Sequence, residues 1–418
     1  MKKTISLLLS FVFVIAVFSA CGSESQVASN IQTTLPGRNE TNDKPLDKVI
    51  DNDPEKTVIK FLAVGDVLIH DSIFVEAQSF ASQSSAITDE YYFDPMYEKI
   101  AEKVSSADVA FVNHETPIGG KQLGISGYPN FNAPEESGDA LVRLGFDVVN
   151  ISNNHMLDAD GKGTGYANTI DYWSTKSVLQ IGGYRNSDDY NTPRVLTSKG
   201  VTIAFLSYTY GTNGMTLNPA SSSYVVPLIN DSVITSQIER ARSMADLVFV
   251  SMHWGNENVF TPTGEQKRLA KLIADCGADV IIGHHSHTVQ PVEWVTGSSG
   301  NQTLCIYSLG NLMSTMLNSY NMVGGMMTFD IVKEGENKPY IANPVMEATV
   351  CHYTADQNRL DRQGLPTRSN VKVYMFKDYS EALAKQHGAQ LQGAFTLDTL
   401  KGYVSNTVSS EFLPFYLK

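Results

Sequence analysis

Short runs rich in Val, Ile and Phe, each stopping abruptly at polar residues, punctuate the chain. Residues 58–64 run into Gly65-Asp66, 107–112 into Asn113-His114-Glu115, and 148–151 into Ser152-Asn153-Asn154-His155. Farther on, 247–252 run into His253-Trp254-Gly255, and 280–282 into Gly283-His284-His285-Ser286-His287. Apolar runs of this kind predict buried strands with polar chemistry at their ends. Between them, residues 95–104, 135–144, 164–175 and 264–276 carry helical spacing, the last with Leu269, Leu272 and Ile273 recurring at the helical period. Alternating strands and helices predict a layered α/β fold. Residues 194–197 and 201–207, split by Lys199-Gly200, predict a hairpin, and 304–307 and 326–332 predict further strands. A pair of mixed sheets is therefore expected, not one parallel sheet.

The N-terminal pattern is different. Lys2 and Lys3 precede an uncharged apolar run over 5–18, followed by Ser19-Ala20-Cys21. A spanning helix needs about 20 apolar residues, and this run is shorter, so a signal peptide is expected with Cys21 as the lipid acceptor. Phe18 stands where the bacterial lipobox has Leu. The alternatives are a freely secreted product and a retained anchor helix. Residues 22–56, rich in Ser, Gln, Asn, Thr, Asp and Pro, read as a tether. The expected organisation is a signal peptide over 1–21, the tether, a main domain over 57–350, and an extension over 351–418 packing on that domain.

A net charge of −13 excludes the polyanion-coating surface of a nucleic-acid binder, whose affinity comes from clustered Lys and Arg. Any anionic substrate has to be met locally, for example by a metal. Beyond Cys21 the cysteines are Cys276, Cys305 and Cys351, without CxxC spacing. They form neither a disulfide framework nor a zinc ribbon, and core positions are expected for Cys276 and Cys305, with one disulfide as the alternative.

Asp66, Glu115, His155, His253, His285 and His287 all follow strands, and a layered α/β fold gathers such loops at one sheet edge. Imidazoles and carboxylates brought together suit a divalent Mn, Fe or Zn, one ion or two, able to activate water against a phosphoryl group. Asn154 adds a neutral oxygen. Each motif alone has an ordinary reading: Gly65-Asp66 as a turn, His253 as a core histidine beside the Trp254 indole. Five polar strand ends in one chain turn these readings into a site. In His285-Ser286-His287, alternate residues of an extended segment would point the same way. His284 and His114 would then point elsewhere. His155 with Asp158 reads as an imidazole oriented by a carboxylate for acid/base work, and Glu257 follows His253 at close range. The segment 119–132, with Tyr128, Phe131 and Asn132, reads as an ordinary surface loop, with a lid over substrate as the alternative.

In order, Gly65-Asp66, Asn113-His114-Glu115, Asn154-His155, His253 and His285-x-His287 resemble the calcineurin-like metallophosphoesterase series, though His70 comes four residues after Asp66 and Glu115 stands where that superfamily has Asp. The same departures are similar to the CapA family of bacterial poly-γ-glutamate capsule synthesis proteins. That resemblance extends over 59–313, through Asn113-His114-Glu115-Thr116-Pro117, Gly277-Ala278-Asp279, Gln290, Glu293 and Tyr307-Ser308-Leu309-Gly310-Asn311. It implies a four-layer αββα metallophosphoesterase-like sandwich with mixed sheets, on a membrane-anchored partner of a polyglutamate synthase or exporter. It also implies metal held by Asp66, His70, Glu115, Asn154, His253, His285 and His287, with His155 and Asp158 catalytic. Asn113, Trp254, Glu257, Glu293 and Asn311 would contact substrate or support the ligands. An exported phosphoesterase acting on an envelope component or nucleotide, and a metal-stiffened scaffold without activity, are the alternatives.

Overall fold

The chain first lays down strands β1 (Lys56–Val67), β2 (Val109–His114), β3 (Val148–Asn150) and β4 (Leu179–Ile181) of one sheet. It then builds a second sheet from β5 (Arg194–Ser198), β6 (Val201–Thr209), β7 (Leu247–His253), β8 (Val280–His284), β9 (Val292–Thr296) and β10 (Gln302–Ile306). Finally it returns to the first with β11 (Asn311–Met313), β12 (Val323–Glu334), β13 (Tyr340–Leu360) and β14 (Pro366–Met375). This is a computed structural model, and it describes residues 56–83 and 85–418. The signal peptide expected over 1–21, Cys21, and the tether up to residue 55 lie outside the described residues.

The first sheet runs β14-β13-β12-β1-β2-β3-β4, with β11 also pairing β1. Strands β1 to β4 are parallel and β12 to β14 antiparallel. The second runs β5-β6-β7-β8-β10-β9, parallel in the middle with an antiparallel strand at each edge. The mixed sheet pair is therefore present.

Side-chain alternation assigns the layers. On β7, Phe249 points between the sheets, where its ring meets Phe61 at 5.1 Å and Phe329 at 5.9 Å. Its neighbours Val248, Val250 and Met252 face the other way and pack with Ile234 and Ile238 of the helix Asp231–Arg242 and Leu269 and Ile273 of the helix Gly264–Asp275. On the outer side of the first sheet, helices Glu135–Leu144 and Thr164–Ser174 bury Leu141, Tyr166, Ile170 and Trp173. The layers are helix, sheet, sheet, helix. Each fully buried large apolar side chain in these layers contributes roughly 1.5–3 kcal/mol.

The structure departs from the expected elements in two places. Residues 95–104 do not form one helix but two short turns of helix, Asp94–Tyr97 and Ala101–Ser105. The boundary expected at 350/351 falls inside β13, and the segment beyond it supplies β14 to the first sheet. Cys276, Cys305 and Cys351 are all free thiols, the last two buried.

Candidate metal centre

The carboxyl ends of the parallel strands in both sheets meet at one edge of the sandwich. There Asp66 of β1 sits in register with Asn113 of β2 on one side and Asn311 of β11 on the other. In the second sheet His253 of β7 is in register with His284 of β8. Two glycines allow this convergence. A Cβ on Gly65 would lie 1.9 Å from the Gly310 carbonyl oxygen, and one on Gly283 would lie 2.0 Å from that of Tyr307. Gly65-Asp66 is thus a close strand approach inside β1, not a turn.

Asp66 is fully buried and fully engaged. Asn113 Nδ2 donates to its Oδ1 at 2.8 Å, and His284 Nδ1 lies 3.0 Å from the same oxygen. Its Oδ2 accepts from the His285 backbone N–H at 3.3 Å and lies 3.3 Å from His287 Nδ1. Burial alone would raise its pKa, but the hydrogen bonds from His284 and His287 prevail and hold it well below the usual carboxylate range. Behind it, Ser207 Oγ donates to Asn150 Oδ1 and Asn150 Nδ2 donates to Asn113 Oδ1, a relay that fixes the Asn113 amide.

Glu115 behaves in the opposite way. Burial, then the adjacent Asp66 charge, push its carboxyl well above the usual range. Its Oε1 is buried without a hydrogen-bond partner, 3.6 Å from His253 Nε2 and 3.8 Å from His287 Nε2. His285 Nδ1 and His253 Nδ1 are likewise buried without partners. Ligand atoms of Glu115, His285 and His287 all lie within 4.8 Å of one another. Burial pushes His285 down to about 3 and His253 well below its ordinary value, so both imidazoles are neutral, as metal ligation requires. Orphaned donor atoms on imidazoles and a carboxylate, beside a second carboxylate, are what a divalent cation would complete. The residues present fit such an ion.

His285 and His287 do not converge by strand alternation. The segment after β8 is a succession of bends, with His285 at φ +92° and His287 at φ +54°. Left-handed backbone at a non-glycine residue costs on the order of 1–3 kcal/mol and persists where the surroundings over-determine it. Here it swings two rings to a centroid separation of 6.0 Å.

The other expected residues fall into three groups. Asn154 Oδ1 lies 2.7 Å from His253 Nε2, and Asn311 Oδ1 lies 3.0 Å from His287 Nδ1, so both adjoin the cluster. His155 Nδ1 lies 2.6 Å from Asp158 Oδ2, which also accepts from the Phe131 N–H at 3.2 Å. His70 stands apart from the ligand group: its Nδ1 accepts from the Thr315 N–H at 3.3 Å, its ring meets Phe131 edge-on, and burial pushes it down to about 3. His114 turns away against Trp173, whereas His284 is buried against Asp66. Trp254 packs in the helix-facing core, where its indole N–H donates to the Tyr307 carbonyl. Glu293 is exposed and accepts from the Tyr307 hydroxyl, among residues such as Phe260 and Pro291 outside the cluster.

A cavity of about 250 Å³ opens beside the cluster, lined by residues including His155, His287, His70 and Glu257. The segment 119–132 is no ordinary loop: Tyr128, Pro129, Asn130 and Phe131 form one wall. The lining also includes Asn213 and Met215, which sequence reasoning missed. Asn213 accepts from Asn154 Nδ2 at 3.1 Å and its Nδ2 lies 3.3 Å from His155 Nδ1. Tyr210, also missed, sets its ring 4.5 Å from that of His285. The signal was present in Tyr210-Gly211-Thr212-Asn213-Gly214, a sixth polar strand end following β6.

The model of the bacterial capsule synthesis protein family PGA_cap matches residues 60–316. The capsule biosynthesis protein CapA of Bacillus anthracis is 28% identical over 324 residues, covering 70% of this chain and 72% of that one. The PGA biosynthesis protein CapA of Bacillus subtilis is 29% identical over 232 residues, 54% of this chain and 58% of that one. Among solved structures, the NAD nucleotidase of Haemophilus influenzae aligns over 86% of this chain and 64% of its own at 9% identity and a TM-score of 0.43. A hypothetical protein from Thermus thermophilus aligns over 69% of this chain and 98% of its own at 15% identity and a TM-score of 0.38. With its motifs in order on a sandwich of mixed sheets, the chain belongs to the bacterial capsule synthesis protein family PGA_cap.

Proposed function

We propose that the chain serves the synthesis or export of a cell-surface polymer, poly-γ-glutamate, through a metal-dependent hydrolase-like site outside the membrane. A lipid on Cys21 would hold it there, beside a polyglutamate synthase or exporter. The observation that carries the catalytic half is the buried Glu115, His285 and His287 cluster with its orphaned ligand atoms. The names of the Bacillus relatives support the polymer.

Glu115, His285 and His287 would hold Mn, Fe or Zn, with His253, Asp66 and Asn154 adjoining for a second ion. Such an ion lowers the pKa of a bound water and polarises the bond to be broken. The chain's own residues do the rest. Asp158 accepts from His155 Nδ1 and fixes the ring's tautomer, leaving the Nε2 lone pair of this cavity-lining residue to take a proton from the attacking water and return it to the leaving oxygen. Phe131 packs edge-on against that ring at 4.8 Å and keeps water from its flank.

In a host lacking its own copy, a variant with His285→Ala and His287→Ala is expected to leave the polymer as low as the deletion does. Polymer at the normal level would remove the catalytic half of the reading. The same His155–Asp158 pair suits an exported phosphoesterase, and turnover of a chromogenic phosphate ester with Mn is the observation that would favour it.

A further inference from the structure

The cavity beside the ligand cluster contains no Lys or Arg among its lining residues. Its charged wall group is Glu257, whose carboxylate makes no hydrogen bond or ion pair among the described residues. Several other surface carboxylates are held by cations, Asp94 by Arg143, Asp231 by Arg268 and Asp108 by Lys199. The same cavity is lined by Tyr128 and Phe131, whose rings lie edge to face at 6.2 Å, and by Asn130 and Asn213.

We infer that this cavity receives a primary ammonium, with Glu257 as its counter-ion, so that the site takes the amine-bearing end of a chain and not the interior of a polyanion. The inference rests on the polymer reading and deepens it. An unpaired carboxylate sharing a cavity with the exposed Tyr128 ring suits an ammonium, through a charge-assisted hydrogen bond and cation–π attraction. Away from the metal ligands, a run of carboxylates meets no Lys or Arg in this lining. Each would be brought against Glu257 on a chain of net charge −13, and like charges at a cleft select against the wrong ligand. In a γ-linked glutamate polymer every interior nitrogen is a neutral amide. The free ammonium exists at one end alone, so a site with this wall reads chain ends.

The test uses the full chain loaded with Mn and two probes, γ-linked triglutamate with a free amino end and the same tripeptide N-acetylated. Calorimetric titration is expected to show the free-end probe binding roughly tenfold more tightly, the size of one charge-assisted contact. Glu257→Gln should abolish the difference while leaving metal content and binding of the acetylated probe unchanged. Glu257 is exposed and unpaired, so the variant keeps its fold, and retained metal verifies this. Equal binding of the two probes, or a preference that survives Glu257→Gln, overturns the inference and leaves the polymer reading standing. Binding of neither probe by fully metallated protein overturns both.

Discussion

The ligand cluster and the cavity wall beside it are built by opposite means. Asp66, Glu115, His253 and His284 are 0% exposed, at or beside strand ends whose register is set by hydrogen-bonded neighbours. The wall comes from loops brought together across the chain. The tip of the β13–β14 hairpin reaches over it: Gln363 Nε2 donates to the Tyr128 carbonyl at 2.6 Å, a contact between residues 235 positions apart, and Arg362 pairs with Asp71 at 2.7 Å. Asp71 directly follows His70 and starts the helix Asp71–Ser82. Chemistry that demands fixed ligand positions thus resides on the sheets, and selection of what enters resides on segments that can be altered without disturbing them.

The comparison is broken hardest at Asp66. Its removal would strand His284, His287 and the Asn113 amide in a dry interior, and losing one partner of a buried charged network costs about 3–5 kcal/mol. Asp66→Ala is expected to lower the unfolding free energy, measured in urea, by that much; a loss below about 1 kcal/mol would mean that the cluster is not held through this carboxylate.

A smaller effect, on rate alone, is expected from His155→Ala. Positioned acid/base groups contribute about 100-fold or more, so hydrolysis should fall by that factor with metal content unchanged. Full turnover would assign the pair a structural role.

At the wall, Gln363→Ala removes one hydrogen bond to the backbone, about 0.5–1.5 kcal/mol. Faster hydrogen exchange over residues 119–132, with the strand ends still protected, is the predicted signature. Global destabilisation would show that wall and cluster are one unit.

The smallest effect is electrostatic. At the hairpin tip burial would raise the Asp361 pKa, but the backbone N–H groups of Leu365 and Gln363, with Arg368, outweigh it and hold the carboxyl low. A depressed carboxyl contributes stability above its unfolded pKa of about 4 and loses it as pH falls through the folded value. Exchange protection at the tip should therefore decline on acidification below about pH 4, and Asp361→Asn should flatten that profile. An unchanged profile in the variant would place the titrating group elsewhere.

The same division explains what the sequence disclosed. Strands β2, β7 and β8 were legible because burial on both faces makes them continuous apolar runs, and their polar ends marked Glu115, His253 and His285. The helix Asp71–Ser82 was not, since it buries Ser72, Ile73, Ala77 and Ala81, mostly small residues that give little periodic contrast. The His285 and His287 rings come together, but not by the strand alternation expected, because left-handed backbone leaves no trace in a hydrophobic pattern. Asn213 and Tyr210 lie in a polar strand end like the other five, but one without a His or carboxylate to mark it. Gln363 and Arg362 lie at the tip between β13 and β14, where short buried stretches among exposed residues gave weak periodicity.

Whether these residues hold metal is read by elemental analysis of the purified chain against the His285→Ala/His287→Ala variant. Near-stoichiometric Mn, Fe or Zn in the wild type, absent from the variant, is the predicted result. A wild-type chain without metal even after reconstitution would contradict the account.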